Sequence, residues 1–164
     1  AVEAVQTWHD WPLGKLVLVG PEGAGKTHLA HVWAALVQAQ IVAASEIGGQ
    51  VEALAAGPVV VEDADALAGD RSAEEALFHL HNLALAEGAP LLITAKSPPA
   101  RWGLTLPDLK SRMQGSALVR LSGPDDALLR RLVVALDQEA LAGRRRITKP
   151  LAGKVLAALG QGEE

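Results

Sequence analysis

The octapeptide Gly20-Pro21-Glu22-Gly23-Ala24-Gly25-Lys26-Thr27 constrains this chain more than any other stretch of it. It has the form G-x-x-x-x-G-K-T. An apolar run, KLVLV at 15–19, precedes it, and residues 27–38 follow, with Leu29, Val32, Trp33 and Leu36 at helical spacing. A strand that turns through glycines into a helix leaves successive backbone N–H groups aimed into one concavity, and the helix dipole adds positive potential there. Such a concavity suits phosphate. Lys26 would place a point charge on β- and γ-phosphates, and the Thr27 hydroxyl would ligate magnesium.

The remaining chain alternates strand and helix, as a parallel sheet covered by helices requires. Strands are expected at 15–19, 41–44, 58–63, 90–95 and 117–121, and helices at 27–38, 46–56, 72–87 and 107–113. The third helix has Ser72 as its expected N-cap, with Glu75 completing a capping box, and Gly88 as its stop. From Asp125 the pattern is helical only. The expected division is therefore an αβ domain at 1–123 and a small helical lid or appendage at 124–164.

Composition narrows the function classes. The 164 residues include no cysteine, which excludes thiolate zinc sites, iron–sulfur clusters, thiol catalysis and a disulfide scaffold. Nothing reads as a signal peptide or a membrane span, so a cytoplasmic protein is expected. Met113 is the only methionine, so a natural N-terminal segment is expected ahead of Ala1. The net charge of −4 argues against direct DNA binding beyond weak contact. Residues 1–82 carry 3 basic and 11 acidic side chains, an imbalance that reads as solvated charge but is compatible with head-to-tail self-association.

Around the glycine loop, candidate chemistry gathers at strand ends. Glu62-Asp63 closes the third strand, where P-loop nucleotidases need one acid to hold a magnesium-bound water and another to orient the attacking water. Asp65 competes for either role but reads better as a cap. Thr94 ends the fourth strand, on the edge that forms the ligand crevice of a parallel sheet. Trp8, His9 and Trp11 precede the first strand and either cover a base or anchor the N-terminal segment. His28 and His31 lack a third metal ligand nearby and read as helix-surface residues. Arg144, Arg145 and Arg146 read as a solvated helix end.

GPEGAGKTHL at 20–29, VVVEDADALAG at 59–69, EEALFHLHNLALAEGAPLLITA at 74–95 and LPDLKSRM at 106–113 resemble the ATPase module of the DnaA family. The chain is most similar to the short DnaA-related regulators of the Hda type. The resemblance spans about residues 13–134. It implies an α/β P-loop NTPase of the AAA+ class: a three-layer αβα domain with a five-stranded parallel sheet and a reduced C-terminal helical lid. It implies ATP or ADP with Mg2+, held by Gly20, Pro21, Glu22, Gly23, Ala24, Gly25, Lys26, Thr27 and His28. Thr27 and, through water, Glu62 fall at the magnesium positions, and Lys26, Asp63 and Thr94 at catalytic ones. Residues 94–96 fall in the sensor-1 region, and Arg112 matches an arginine finger that acts in trans on nucleotide held by a neighbouring subunit.

The implied partner is a DnaA-type initiator. The sliding clamp is a second, through an N-terminal motif that this sequence lacks. Three departures qualify the likeness. Glu62 replaces the family's usual aspartate, the lid is short with no assignable sensor-2 arginine, and nothing resembles the DNA-reading domain. Two other readings stay open: a P-loop kinase for a small molecule, and a scaffold or loader that binds nucleotide but hardly hydrolyses it.

Overall fold

The computed structural model describes residues 1–122; the expected lid at 124–164, with Arg130, Arg131 and the arginines at 144–146, lies outside the described residues. Five strands, β1 (Lys15–Val19), β2 (Gln40–Ala43), β3 (Val59–Glu62), β4 (Leu91–Ala95) and β5 (Ala117–Arg120), form one all-parallel sheet in the order β2-β3-β4-β1-β5. The helices are α1 (Val2–Gln6), α2 (Lys26–Val37), α3 (Val51–Ala55), α4 (Arg71–Glu87) and α5 (Pro107–Gln114). The expected five-stranded parallel α/β architecture is the one observed.

Period-two alternation sorts the strand residues onto two covered faces. Leu16, Leu18, Val60 and Leu92 pack with Leu29, Ala30 and Trp33 of α2. Val17, Val19, Val59, Val61, Leu91 and Ile93 pack with Leu77 and Leu80 of α4 and with Leu109 and Met113 of α5. Burial on both faces explains why the central strands read as unbroken apolar runs. Trp11 is buried, donates from Nε1 to Ala4 O at 2.6 Å, and stacks on Trp33 at 5.2 Å between ring centroids. It therefore anchors the N-terminal segment to α2.

Two local expectations need correction. Asp70, not Ser72, caps α4: it sits in extended backbone and its carboxylate accepts the Ala73 N–H at 3.1 Å. Aspartate accepts at least as well as serine and stands one turn ahead of the first apolar positions, so the helix starts earlier. Glu75 instead pairs with Arg71 at 2.7 Å, one turn away. The helix expected at 46–56 is two 3-10 turns followed by the short α3, because Gly48-Gly49, with Gly48 at φ 37°, interrupts helical backbone. Gly88, at φ 68°, ends α4 as expected.

Candidate phosphate-binding site

Parallel register sets the ends of β1, β3 and β4 along one edge: Val19 lies opposite Ala95, and Val61 opposite Ile93. At that edge the chain leaves β1, curls through Gly23 (φ 78°) and Gly25 (φ 91°), and enters α2. Both glycines occupy left-handed backbone that a side chain would strain. The first amides of α2 have no intrahelical acceptors and point outward from the helix start. A cavity of about 390 Å3 lies over them, lined by Glu22, Gly23, Gly25, Lys26, Thr27, His28, Asp63 and Lys96.

Within the loop, Lys26 is buried and donates from Nζ to Gly20 O at 2.6 Å and Pro21 O at 2.9 Å. The loop's own carbonyls thus hold the ammonium beside the cavity. Lys96 Nζ lies 3.7 Å from Glu22 Oε2, an exposed pair worth little stability. Across the edge, Asp63 adopts φ 55°, a conformation aspartate tolerates better than most residues. Its N–H donates to the buried Thr94 Oγ1 at 3.2 Å, and Asp63 lines the cavity while Thr94 does not. Asp65 Oδ2 accepts the Lys96 N–H at 3.2 Å and ties the two strand ends together.

Glu62 shares the face of Val60, towards α2. Thr27 and His31 stand four residues apart and therefore on one face of that helix. Glu62 Oε1 is buried and makes no hydrogen bond, and His31 Nε2 lies 3.5 Å from it. Such an oxygen fits a cation or its bound water beneath Thr27. Among the described residues no group of three histidine, aspartate or glutamate side chains that could hold a metal ion occurs.

The expected site residues therefore divide. Glu22, Gly23, Gly25, Lys26, Thr27, His28 and Asp63 line one cavity, and Glu62 and Thr94 are not among its lining residues. Gly20, Pro21 and Ala24 shape the loop from beneath. Gly20 N donates to Ala95 O at 3.2 Å, and a Cβ at Gly20 would lie 2.7 Å from Leu121 O. Gly20→Ala is therefore expected to destabilise the chain by about 1–3 kcal/mol, as overpacking does, in thermal or urea unfolding. Lys96, which the sequence placed only within a region, also lines the cavity; a lysine two residues past a strand threonine carries no signal by itself.

Arg112 is far from this cavity. Its carbonyl accepts from Lys15 Nζ at 3.0 Å, at the start of β1, and five strand steps of about 3.3 Å separate Lys15 from Gly20. A second, more open cavity of about 570 Å3 lies between α3 and α4, with Gly49, Glu52, His79 and Asn82 among its lining residues. No helix among the described residues is long and apolar enough to cross a membrane.

No family model matches the chain. Its structure is similar to the replication initiator DnaA bound to AMPPCP and single-stranded DNA, with TM-score 0.62, 15% identity, and coverage of 94% of this chain and 54% of that one. It is similar to AMPPCP-bound DnaA from Aquifex aeolicus with TM-score 0.61, 16% identity and coverage of 94% and 54%. Domain III from the Thermotoga maritima replication initiation protein DnaA gives TM-score 0.62 and 14% identity, with 96% of this chain and 88% of that one covered. The chain thus spans about half the length of the first two and most of the third. What these proteins share with it at such low identity is the fold, the five-stranded parallel α/β arrangement described above.

Proposed function

We propose that this chain is a DnaA-related AAA+ protein that binds ATP or ADP with magnesium and regulates the initiation of chromosomal replication in the manner of the Hda-type regulators. The observation that carries the reading is the convergence of the Gly23–Thr27 backbone, Lys26, Asp63 and Lys96 on one cavity at the carboxyl edge of a parallel sheet. Loop amides and Lys26 hold the phosphate chain, and His28 lies at its rim. Thr27 and Glu62 hold the ion, which would draw charge from the phosphoryl oxygens. Asp63 orients the attacking water, and the Thr94 hydroxyl keeps Asp63 in place.

Arg112 serves a different nucleotide. It stands roughly 16 Å along β1 from the loop of its own chain, so its guanidinium is available to a neighbouring subunit. The neighbour in this reading is an ATP-loaded DnaA-type initiator, with the sliding clamp as the platform that brings the two together. The protein then works in the cytoplasm, as that assembly requires. Each charge-assisted hydrogen bond to the transferring phosphoryl group is worth about 1.5–3 kcal/mol, so Arg112→Ala is expected to slow stimulated hydrolysis about 10- to 100-fold. The measurement is phosphate release from ATP-loaded initiator mixed with this protein and clamp. Hydrolysis equal with wild type and Arg112→Ala contradicts the regulatory role.

One feature favours slow turnover of the chain's own nucleotide. Glu62 is longer than aspartate and lies 3.5 Å from His31, which competes for its carboxylate. In this reading the resident nucleotide sets shape and assembly more than it is consumed. ATP turnover compared with ATP affinity in the isolated protein separates the two behaviours.

A further inference from the structure

We propose that Lys15 is a positioning residue for Arg112: its ammonium, held by His81, pins the carbonyl end of α5 from which the Arg112 guanidinium projects. The inference rests on the trans role of Arg112 argued above and adds residues to it from β1 and α4.

Lys15 opens β1, and alternation puts its side chain on the face of Val17 and Val19, against α4 and α5. It is 3% exposed in a position that leucine would fill without charge. Nζ lies 2.9 Å from His81 Nε2 and donates to Arg112 O at 3.0 Å. An ammonium only donates, so Nε2 accepts. The ring proton then sits on Nδ1, which donates to Asn82 Oδ1 at 3.2 Å. Arg112 O also accepts from Ser116 Oγ at 3.0 Å. This carbonyl belongs to the last turn of α5, where intrahelical donors run out and the helix dipole favours a cation.

The opposite end of α5 is fixed by a second buried group. Glu74, fully buried, accepts from Leu106 N at 2.7 Å, immediately before Pro107 opens the helix. The short helix is thereby held at both ends by polar side chains from the sheet and α4. Arg112 itself is exposed, and its charge is near enough to act on Lys15.

Burial first, and Arg112 second, lower the Lys15 pKa to about 8. His81 is lowered from its usual range by burial, Lys15 and Arg112, against the bond to Asn82. Lys15 and Arg112 are the charged groups that act on His81. Near pH 7 the tie therefore consists of charged Lys15 and neutral His81. Acidification that protonates His81 sets two cations 2.9 Å apart and opens the tie. The sign for Lys15 follows from its lowered pKa. Below about pH 8 the folded chain carries a buried charge that opposes folding, and that penalty is relieved as pH rises towards the unfolded value of 10.5.

A positioning role and a core-packing role thus part company. Lys15→Met, His81→Gln and Arg112→Ala are compared in the full chain. Three quantities are read: melting temperature, ATP affinity by calorimetry, and stimulated hydrolysis on ATP-loaded initiator with clamp from pH 5.5 to 8.5. Lys15→Met is expected to melt no lower than wild type and to bind ATP equally. It is expected to lose stimulation about 10-fold or more, as misplaced catalytic groups do. His81→Gln keeps an acceptor for the ammonium, so stimulation persists at pH 7.5 and its fall on the acid side disappears. Full stimulation by Lys15→Met, with Arg112→Ala defective, overturns the positioning role and leaves the regulatory reading standing. Full stimulation by Arg112→Ala overturns both. A Lys15→Met chain that melts lower or fails to fold makes Lys15 a core residue and overturns the proposal. An unchanged acid limb in His81→Gln removes His81 from it.

Discussion

Lys26→Ala is expected to abolish most of the stabilisation that ATP or ADP gives the wild-type chain. A ligand present at about 100 times its dissociation constant stabilises the folded state by about 2.7 kcal/mol. For a chain of this length that is a rise of about 5–11 °C in melting temperature. Lys26 reaches the cavity while its Nζ is donating to Gly20 O and Pro21 O. Removing it takes the positive charge that the loop itself presents to the phosphates and leaves two loop carbonyls without that donor. The ligand-free variant is accordingly expected to melt lower than ligand-free wild type, by about 1–2 kcal/mol. The comparison that matters is each protein against its own ligand-free state. Equal shifts in wild type and Lys26→Ala contradict the assignment of the loop.

Glu74→Leu is expected to be strongly destabilising, although the residue lies outside the loop. Glu74 is fully buried, no cation among the described residues acts on it, and four donors converge on its carboxylate. Gly69 N lies at 2.8 Å, Thr105 N at 2.9 Å, Thr105 Oγ1 at 3.0 Å and Leu106 N at 2.7 Å. Leucine takes the charged acceptor from all four donors, at about 1.5–3 kcal/mol for each such hydrogen bond; Gly69 and Thr105 are exposed and regain water, so a loss of about 2–4 kcal/mol is expected in urea unfolding. Burial alone would raise the Glu74 pKa, but the four hydrogen bonds outweigh it and hold the group below its usual value. Its contribution is therefore complete above the unfolded value of about 4.5 and is lost as pH falls from there through the folded value. Glu74→Gln should show a flatter loss of stability below pH 5 than wild type. Parallel acid profiles for the two proteins would show that the carboxylate is not ionised against those donors.

The features visible in the chain were those written locally. Gly20–Thr27 announces its loop because glycine at φ 78° and 91° is required within a few residues of Lys26. The strands announce themselves because burial on both faces leaves no room for polar side chains. Glu74 and Lys15 were invisible for the opposite reason. A glutamate in the first turn of a helix and a lysine at the start of a strand both look solvated. Their partners, Thr105 and Leu106 for one and His81 and Arg112 for the other, lie 31 to 97 positions away. The cap of α4 was misplaced by two residues because Ser72 and Asp70 both carry capping chemistry, and only backbone geometry chooses between them. Thr94 reads from the sequence only as a polar strand end beside the crevice; that its hydroxyl accepts the Asp63 N–H is a contact between strand ends that no local pattern records.

The most direct test of the central claim is residue-resolved amide NMR during titration with ATP and magnesium. Cradling by backbone N–H groups requires the largest shifts at Gly23, Gly25, Lys26 and Thr27, with smaller ones at Asp63 and Lys96. Shifts centred on Gly49, His79 and Asn82 beside α4, or none at millimolar nucleotide, would contradict it.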